Sequence, residues 1–248
     1  MTLRLALVSD IHGNVDALEA ALAAIAKAAP DRIVVLGDLV LNGPRPVETV
    51  DRVMQLEAAG ALVIAGNTDI AVADGDYTAA FPWLDEVPAG HVAASEWARE
   101  LLREDQLEYL RRLPAERRLA VGDELILACH ASPGSQTSGL PADLDAAVTV
   151  QRVTRTDARV ICCGHTHVAD VREFGRKLLL NPGSCGYAFD GTPDACWALL
   201  SMGEEDDPQA ELFRTVYDPR PAAEEVASRG LPGDVYRAAT IRTGRFVR

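Results

Sequence analysis

The segment LRLALVSDIHGN, residues 3–14, runs from a near-continuous apolar stretch, Leu3 to Val8, straight into Ser9, Asp10 and His12. Such a run reads as a strand buried on both faces, and its polar end marks the point where the chain leaves the sheet. Helical spacing follows from Val15 to Ala28, with Leu18, Ala21, Leu22 and Ile25 on one face. The same unit recurs twice. Ile33 to Leu36 ends in Gly37-Asp38, and Pro46 opens a helical pattern carrying Val50, Val53, Met54 and Leu56. Ala61 to Ala65 then ends in Gly66-Asn67. Three strand, loop and helix units in succession predict right-handed crossovers and a mostly parallel sheet. The polar motifs then share one edge, outside the carboxyl ends of the strands, where open α/β sheets bind ligands.

Beyond residue 74 the pattern changes. Phe81, Pro82 and Trp83 sit in a loop-like stretch, and helical spacing follows through Val92, Trp97, Leu101, Leu102, Leu107, Leu110 and Leu113, which predicts a helical insertion over 74–116 beside the motif edge. Arg118 to Val121 and Leu125 to Cys129 flank Gly122-Asp123 as a hairpin whose second strand delivers His130. Val160 to Cys163 ends at Gly164-His165-Thr166-His167. A second hairpin around Gly175-Arg176 leads into Asn181-Pro-Gly-Ser184, and Cys196 to Leu200 and Leu212 to Val216 read as two closing strands. No Pro- or Ser-rich linker separates the α/β first half from the strand-rich second half. The two halves are therefore expected as two sheets of a single domain over 1–248, with 219–248 as a C-terminal extension, either a helix on the body or a dimer arm.

Composition narrows the function. The 248 residues suffice for a full core, and 48% hydrophobic with 25% charged residues is ordinary for a soluble globular chain. A formal net charge of -13 argues against long nucleic acids, whose binding draws on Lys and Arg contacts to phosphate. The five cysteines form no Cys-x-x-Cys pair and no regular framework, so they read as small buried core residues. The start MTLRLALVSD lacks the features of a signal peptide, and no run approaches the ~20 apolar residues of a membrane helix. A cytoplasmic protein is expected, with no membrane partner and with homo-oligomers left open.

Four of the five histidines, His12, His130, His165 and His167, lie in motifs that also hold Asp10, Asp38 and Asn67. Imidazole nitrogens, carboxylates and an amide oxygen make the mixed shell that borderline divalent metals accept. Each motif alone is a weak signal, but their convergence on one sheet edge reads as a two-metal site. Asn14, next to Gly13, is a candidate substrate contact or the N-cap of the following helix. Arg45, after Gly43-Pro44, is a candidate phosphate clamp or a solvated surface arginine.

In this order the motifs resemble those of the calcineurin-like metallophosphoesterases, whose series Asp-x-His, Gly-Asp, Gly-Asn, His and Gly-His-x-His is matched from Asp10 to His167. The resemblance extends to about Leu200 and includes bacterial members of this length with a Trp-rich helical insertion and a His-x-Ser-Pro turn, here His130-Ala-Ser132-Pro133. It implies an α/β (α+β) fold, a four-layer αββα sandwich of two mixed β-sheets flanked by helices. It implies that Asp10, His12 and His167 bind one metal, that Asn67, His130 and His165 bind the other, and that Asp38 bridges both. Manganese is the expected metal, with Fe, Zn or Ni accepted by nearly the same ligands. A bridging carboxylate can hold two cations about 3.5 to 4 Å apart, where they acidify a shared water for in-line attack on phosphorus. The implied activity is hydrolysis of a phosphodiester or another small phosphorylated substrate.

Two departures from that family stand out. Most catalytic relatives carry a histidine after Gly-Asn that is thought to protonate the leaving oxygen, whereas this chain reads Asn67-Thr68-Asp69. A threonine hydroxyl is too weak an acid for that task, so Thr68 is expected at most to hydrogen-bond phosphate, and Asp69 to donate only if its pKa is raised. After Gly183-Ser184, similar bacterial proteins carry an arginine before Asp-Gly, and here Tyr187, Ala188 and Phe189 precede Asp190-Gly191. His91 lies outside every motif and is expected to be structural unless it enters the pocket as a substitute acid. Two other readings are kept: a non-catalytic, metal-containing interaction module, by analogy with a retromer subunit of this fold, and a protein Ser/Thr phosphatase, which would need an open groove.

Overall fold

The computed structural model describes residues 2–204 and 206–247. Strand β1 (Leu3–Val8) lies at the centre of the first sheet, and its alternation explains why it reads as apolar throughout. Leu5 and Leu7 face the second sheet, while Ala6 and Val8 face helices α1 (Val15–Ala28) and α2 (Pro46–Ala58). Strands β2 (Arg32–Val35) and β3 (Leu62–Val63) extend the sheet in parallel.

The insertion begins at the Gly66-Asn67 motif itself. It comprises α3 (Asn67–Asp74), α4 (Tyr77–Ala80), α5 (Ala89–Leu101) and α6 (Glu104–Arg112). Its buried residues Val72, Phe81, Ala94, Ala98, Leu107 and Tyr109 join the same core cluster as α1 and α2.

The second sheet contains β4 (Glu116–Val121), β5 (Glu124–Cys129), β6 (Val160–Cys162), β7 (Asp170–Phe174) and β8 (Lys177–Asn181), in the order β4-β5-β6-β8-β7. Both expected hairpins are present: Val121 pairs with Glu124 across Gly122-Asp123, and Phe174 with Lys177 across Gly175-Arg176. Helix α7 (Ala146–Val153) covers the outer face of this sheet through Val153, against Leu127, Ile161 and Leu179. Helices, sheet, sheet and helix thus form four layers.

The sheets do not follow the halves of the chain. Strands β9 (Ala195–Met202) and β10 (Gln209–Thr215) cross back to the first sheet, whose order is β10-β9-β1-β2-β3. The reason is an edge: β2 occupies one side of β1, and β9 fills the other, antiparallel, with Leu5 opposite Leu200. Strand β9 is also buried on both faces, with Ala198, Leu200 and Met202 between the sheets and Trp197 and Leu199 under the helices.

The C-terminal extension is a helix pair on the body, α8 (Arg220–Arg229) and α9 (Asp234–Thr243), joined by Ala222, Ala223, Val226, Ala238 and Ile241 and seated on Tyr187. Arg229 donates to the carbonyls of Asn42 and Gly43, which ties this pair to the loop after Asp38. All five cysteines are free and buried. Among the described residues no helix is long and apolar enough to cross a membrane.

Candidate metal centre

The ends of β1, β2, β3, β5, β6 and their following loops bring seven polar side chains to one edge. Asp10, His12, Asp38 and His167 form one group able to hold a cation, and Asp38, His130 and His165 form a second, with Asp38 common to both. His12 Nε2 lies 3.6 Å from Asp38 Oδ2, and His130 Nε2 lies 3.4 Å from Asp38 Oδ1, so the two carboxylate oxygens face the two groups separately. In the first group His167 Nε2 is 3.4 Å from Asp10 Oδ1 and 3.2 Å from His12 Nε2. In the second, Asn67 Oδ1 is 3.1 Å from His130 Nε2 and 3.0 Å from His165 Nδ1.

The surrounding hydrogen bonds aim these atoms. Asn67 Nδ2 donates to the Ala80 carbonyl, which turns the amide oxygen towards the two imidazoles. His130 Nδ1 donates to the Leu36 carbonyl at 2.7 Å, and His167 Nδ1 to that of Tyr187, which leaves Nε2 of each ring pointing inward. Asn181 Nδ2 donates to the Gly164 carbonyl and so steadies the turn that carries His165 and His167.

The backbone is held in an uncommon conformation for this purpose. Asp10, His12, Asp38, His165 and His167 all have positive φ, between 53° and 68°. Non-glycine residues adopt this region at a cost of order 1–3 kcal/mol each, and such strain clusters where a site must be held rigidly. Here it is offset by hydrogen bonds between the loops: Asp10 N–H to the Gly37 carbonyl, His12 N–H to that of Asp38, and His165 N–H to Asp10 Oδ2 at 3.0 Å.

Asp69 joins two of these loops. Its Oδ2 accepts from the N–H groups of Gly66 and Asp38, and its Oδ1 from those of Leu39 and Val40, at 2.9 to 3.3 Å. From sequence Asp69 is expected to donate a proton only with a raised pKa; its pKa is raised, but both oxygens accept from backbone N–H groups and the residue does not line the cavity, so it faces no substrate space. Thr68 donates its N–H to Asp38 Oδ1 at 2.9 Å and its hydroxyl to the Val40 carbonyl, so its role lies first in orienting the shared carboxylate.

The two expected substrate contacts are placed elsewhere. Asn14 caps α1 by accepting from the Ala17 N–H, and donates to the Gly186 carbonyl and to the Tyr217 hydroxyl, which uses the amide fully. Arg45 pairs with Asp16 and Glu225 and does not line the cavity. A carboxylate 180 residues away in sequence claims that guanidinium.

Electrostatics suit cations. Burial lowers the pKa values of His12 and His167 to about 4 and that of His165 to about 3, so each ring offers a lone pair near neutral pH. Burial raises Asp10 to about 6. Burial works against His130 as well, but the Asp38 carboxylate overrides it and raises His130 to about 10. Asp38 itself is driven well below the usual carboxylate range by His130, against the effect of burial. Burial and the charge of Asp38 push Asp69 up to about 7. Buried carboxylates, three neutral imidazoles, the charged His130 and the Asn67 amide oxygen gather in two adjacent groups, a donor set of the kind divalent ions accept once His130 gives up its proton.

Two expected results follow. Without metal, His130 carries a proton near neutral pH that it must lose to coordinate through Nε2, so loading releases about one proton per chain and weakens as pH falls. Calorimetric titration of Mn²⁺ in two buffers of different ionisation enthalpy measures that release, and equal heats in both buffers would count against it. Gly164 admits no side chain, since a Cβ there would lie 1.9 Å from Ser9 Oγ and 2.6 Å from Asp10 Oδ2. Gly164→Ala is expected to weaken metal affinity by about 10- to 100-fold, the usual cost of displacing a ligand's support. Unchanged affinity by the same titration would show that Asp10 is not positioned by this contact.

The site opens into a cavity of about 670 Å³. His12, Asp38, Asn67, His165 and His167 form its floor, and the insertion and the C-terminal segment form its walls. His91, expected from sequence to be structural unless it entered the pocket, lies on that wall. The motifs exposed the floor, but nothing in the sequence linked Tyr236 or Phe246 to it.

Fold and donor set together define a metallophosphoesterase architecture. Residues 3–205 match the family model of the calcineurin-like phosphoesterase superfamily domain, and the chain belongs to that superfamily. An uncharacterised protein of Methanocaldococcus jannaschii is 26% identical over 246 residues, covering 92% of this chain and 93% of its own. A metallophosphoesterase of Sphaerobacter thermophilus superposes with a TM-score of 0.74 at 25% identity, over 98% of this chain and all of that one. A hypothetical protein of Pyrococcus horikoshii superposes with a TM-score of 0.82 at 20% identity, over 98% of both chains, which speaks to the fold alone.

Proposed function

We propose that the protein is a phosphohydrolase that uses two divalent metal ions, Mn²⁺ foremost, to activate water against a phosphodiester or another small phosphate ester. The observation that carries this reading is the pair of ligand groups sharing Asp38, one on each carboxylate oxygen. Asp10, His12, His167 and Asp38 would hold one ion, and Asp38, Asn67, His130 and His165 the other. Bound there, two cations acidify a water and neutralise charge on phosphoryl oxygens.

The chain's own residues do the rest. Thr68 N–H and His130 hold the Asp38 carboxylate in one orientation. Neither Thr68 nor Asp69 is placed to protonate a leaving oxygen, so the site favours esters whose alcohol departs readily without acid assistance. Hydrolysis of bis-p-nitrophenyl phosphate alongside dimethyl phosphate, whose alcohol leaves poorly, tests this, with Mn²⁺ present and withheld. Turnover that requires metal is expected, with the p-nitrophenyl ester preferred. Absence of turnover at full metal occupancy would favour a metal-containing interaction module instead.

A further inference from the structure

The loop after Asp38 is strained beyond the ligand itself. Leu41 and Asn42 follow one another at φ 76° and 71°, a left-handed conformation that leucine resists and that persists only where the surroundings fix it. Gly43 completes the loop and packs its backbone on the first ligand group, since a Cβ there would collide with the His12 carbonyl oxygen. The Asn42 amide nitrogen also lies 3.5 Å from His12 Nδ1. A shift of residues 42 and 43 is therefore felt at His12.

What fixes the loop comes from the far end of the chain. Arg229 donates to the Gly43 carbonyl at 2.9 Å and to the Asn42 carbonyl at 3.3 Å, and Arg237 Nε donates to Asn42 Oδ1 at 3.2 Å. The other donors of Arg237 go to the carbonyls of Pro232 and Gly90 and to Asp234, so one guanidinium joins the loop, the C-terminal helix pair and the start of α5. Asp234 Oδ1 accepts from both arginines, at 2.8 and 3.2 Å, and Asp234 and Arg237 are buried. A buried carboxylate shared by two guanidinium groups keeps all three in register, because loss of one strands the others without a partner. Residues 220–243 lie beyond the matched family domain, so this brace is no part of the shared motif series.

Resting on the reading of two metal-binding groups, we infer that the C-terminal helix pair is a working part of the metal centre: Asp234, Arg229 and Arg237 hold Asn42 and Gly43, and through them place His12 for the ion of its group. All five are positioning residues, since they act through the loop and not on the ion. The second group draws on separate supports, with Asn67 held by the Ala80 carbonyl and His130 by that of Leu36. The brace therefore acts on one ion of the two.

Calorimetric titration of Mn²⁺ into the chelator-stripped natural chain, Asn42→Gly, Arg237→Lys and His165→Ala decides the inference. His165→Ala marks the binding step that belongs to the second group. Asn42→Gly removes the amide yet suits the positive φ, so the fold is expected to hold by circular dichroism, while the step that His165→Ala leaves intact weakens by about 10- to 100-fold. Arg237→Lys keeps the charge, loses the planar fork and is expected to weaken that same step. Natural affinity at both steps in these two variants, or weakening of the step that His165→Ala marks, would overturn the inference. Fewer than two ions in the natural chain would fail the dinuclear reading and this inference with it, whereas two ions of natural affinity in both variants fail the inference alone. Turnover of bis-p-nitrophenyl phosphate by the natural chain judges hydrolysis separately.

Discussion

Asp38→Asn is expected to reduce metal-dependent phosphoester hydrolysis by about a thousandfold or more while leaving the chain folded. The side chain offers one oxygen to each ligand group, at 3.6 Å from His12 and 3.4 Å from His130, so the amide replaces one donor oxygen by an N–H₂ group and removes the shared charge. Two cations brought close together without a bridging anion repel each other, and the several kcal/mol that a metal pair contributes to a transition state translate into that factor. The substitution also removes the partner that keeps His130 charged, so the buried imidazole is expected to become neutral. Folding is monitored by circular dichroism and turnover by release of p-nitrophenolate. Retention of more than a tenth of the natural rate would show that Asp38 does not join the two groups.

Asp69→Asn is expected to act differently, through stability. The carboxylate accepts four backbone N–H groups from two loops, and an amide can accept on only one of its two atoms. Backbone N–H groups on one side would lose their acceptor, and a buried donor left unpaired costs roughly 1–3 kcal/mol, so a loss of about 3 kcal/mol in urea unfolding is expected. Metal affinity should fall with it, because the Asp38 and Asn67 loops are the ones released. Were Asp69 instead a proton donor, stability and affinity would hold while kcat fell most for esters with poor leaving groups. That pattern would contradict its role as a bracket.

The strand and loop frame was readable because its signals are local. A strand such as β1, buried on both faces, reads as continuous apolar sequence, and the residues where it ends are the ones the sheet edge exposes. What an apolar run does not announce is its neighbour, so β9 was legible as a strand but not as the partner of β1, nearly two hundred residues away. The polar residues split along the same line. Asp10, His12, Asp38, Asn67, His130, His165 and His167 stand at strand ends, and the fold brings them together. Arg45 and Asn14 stand beside the same edge in sequence, yet Asp16 and Glu225 capture one and the α1 terminus with Tyr217 captures the other. The cavity walls were least legible, because Trp83, Phe189 and Phe246 come from three separated segments and meet only in the folded chain.

Metal content is the most direct test of a centre built on one shared carboxylate. The natural chain and Asp38→Asn are stripped with chelator, reloaded with Mn²⁺, freed of excess ion and assayed by plasma emission against protein concentration. Two ions per natural chain and at most one in Asp38→Asn are predicted. One ion or none in the natural chain, or two retained in the variant, would contradict a dinuclear site bridged by Asp38.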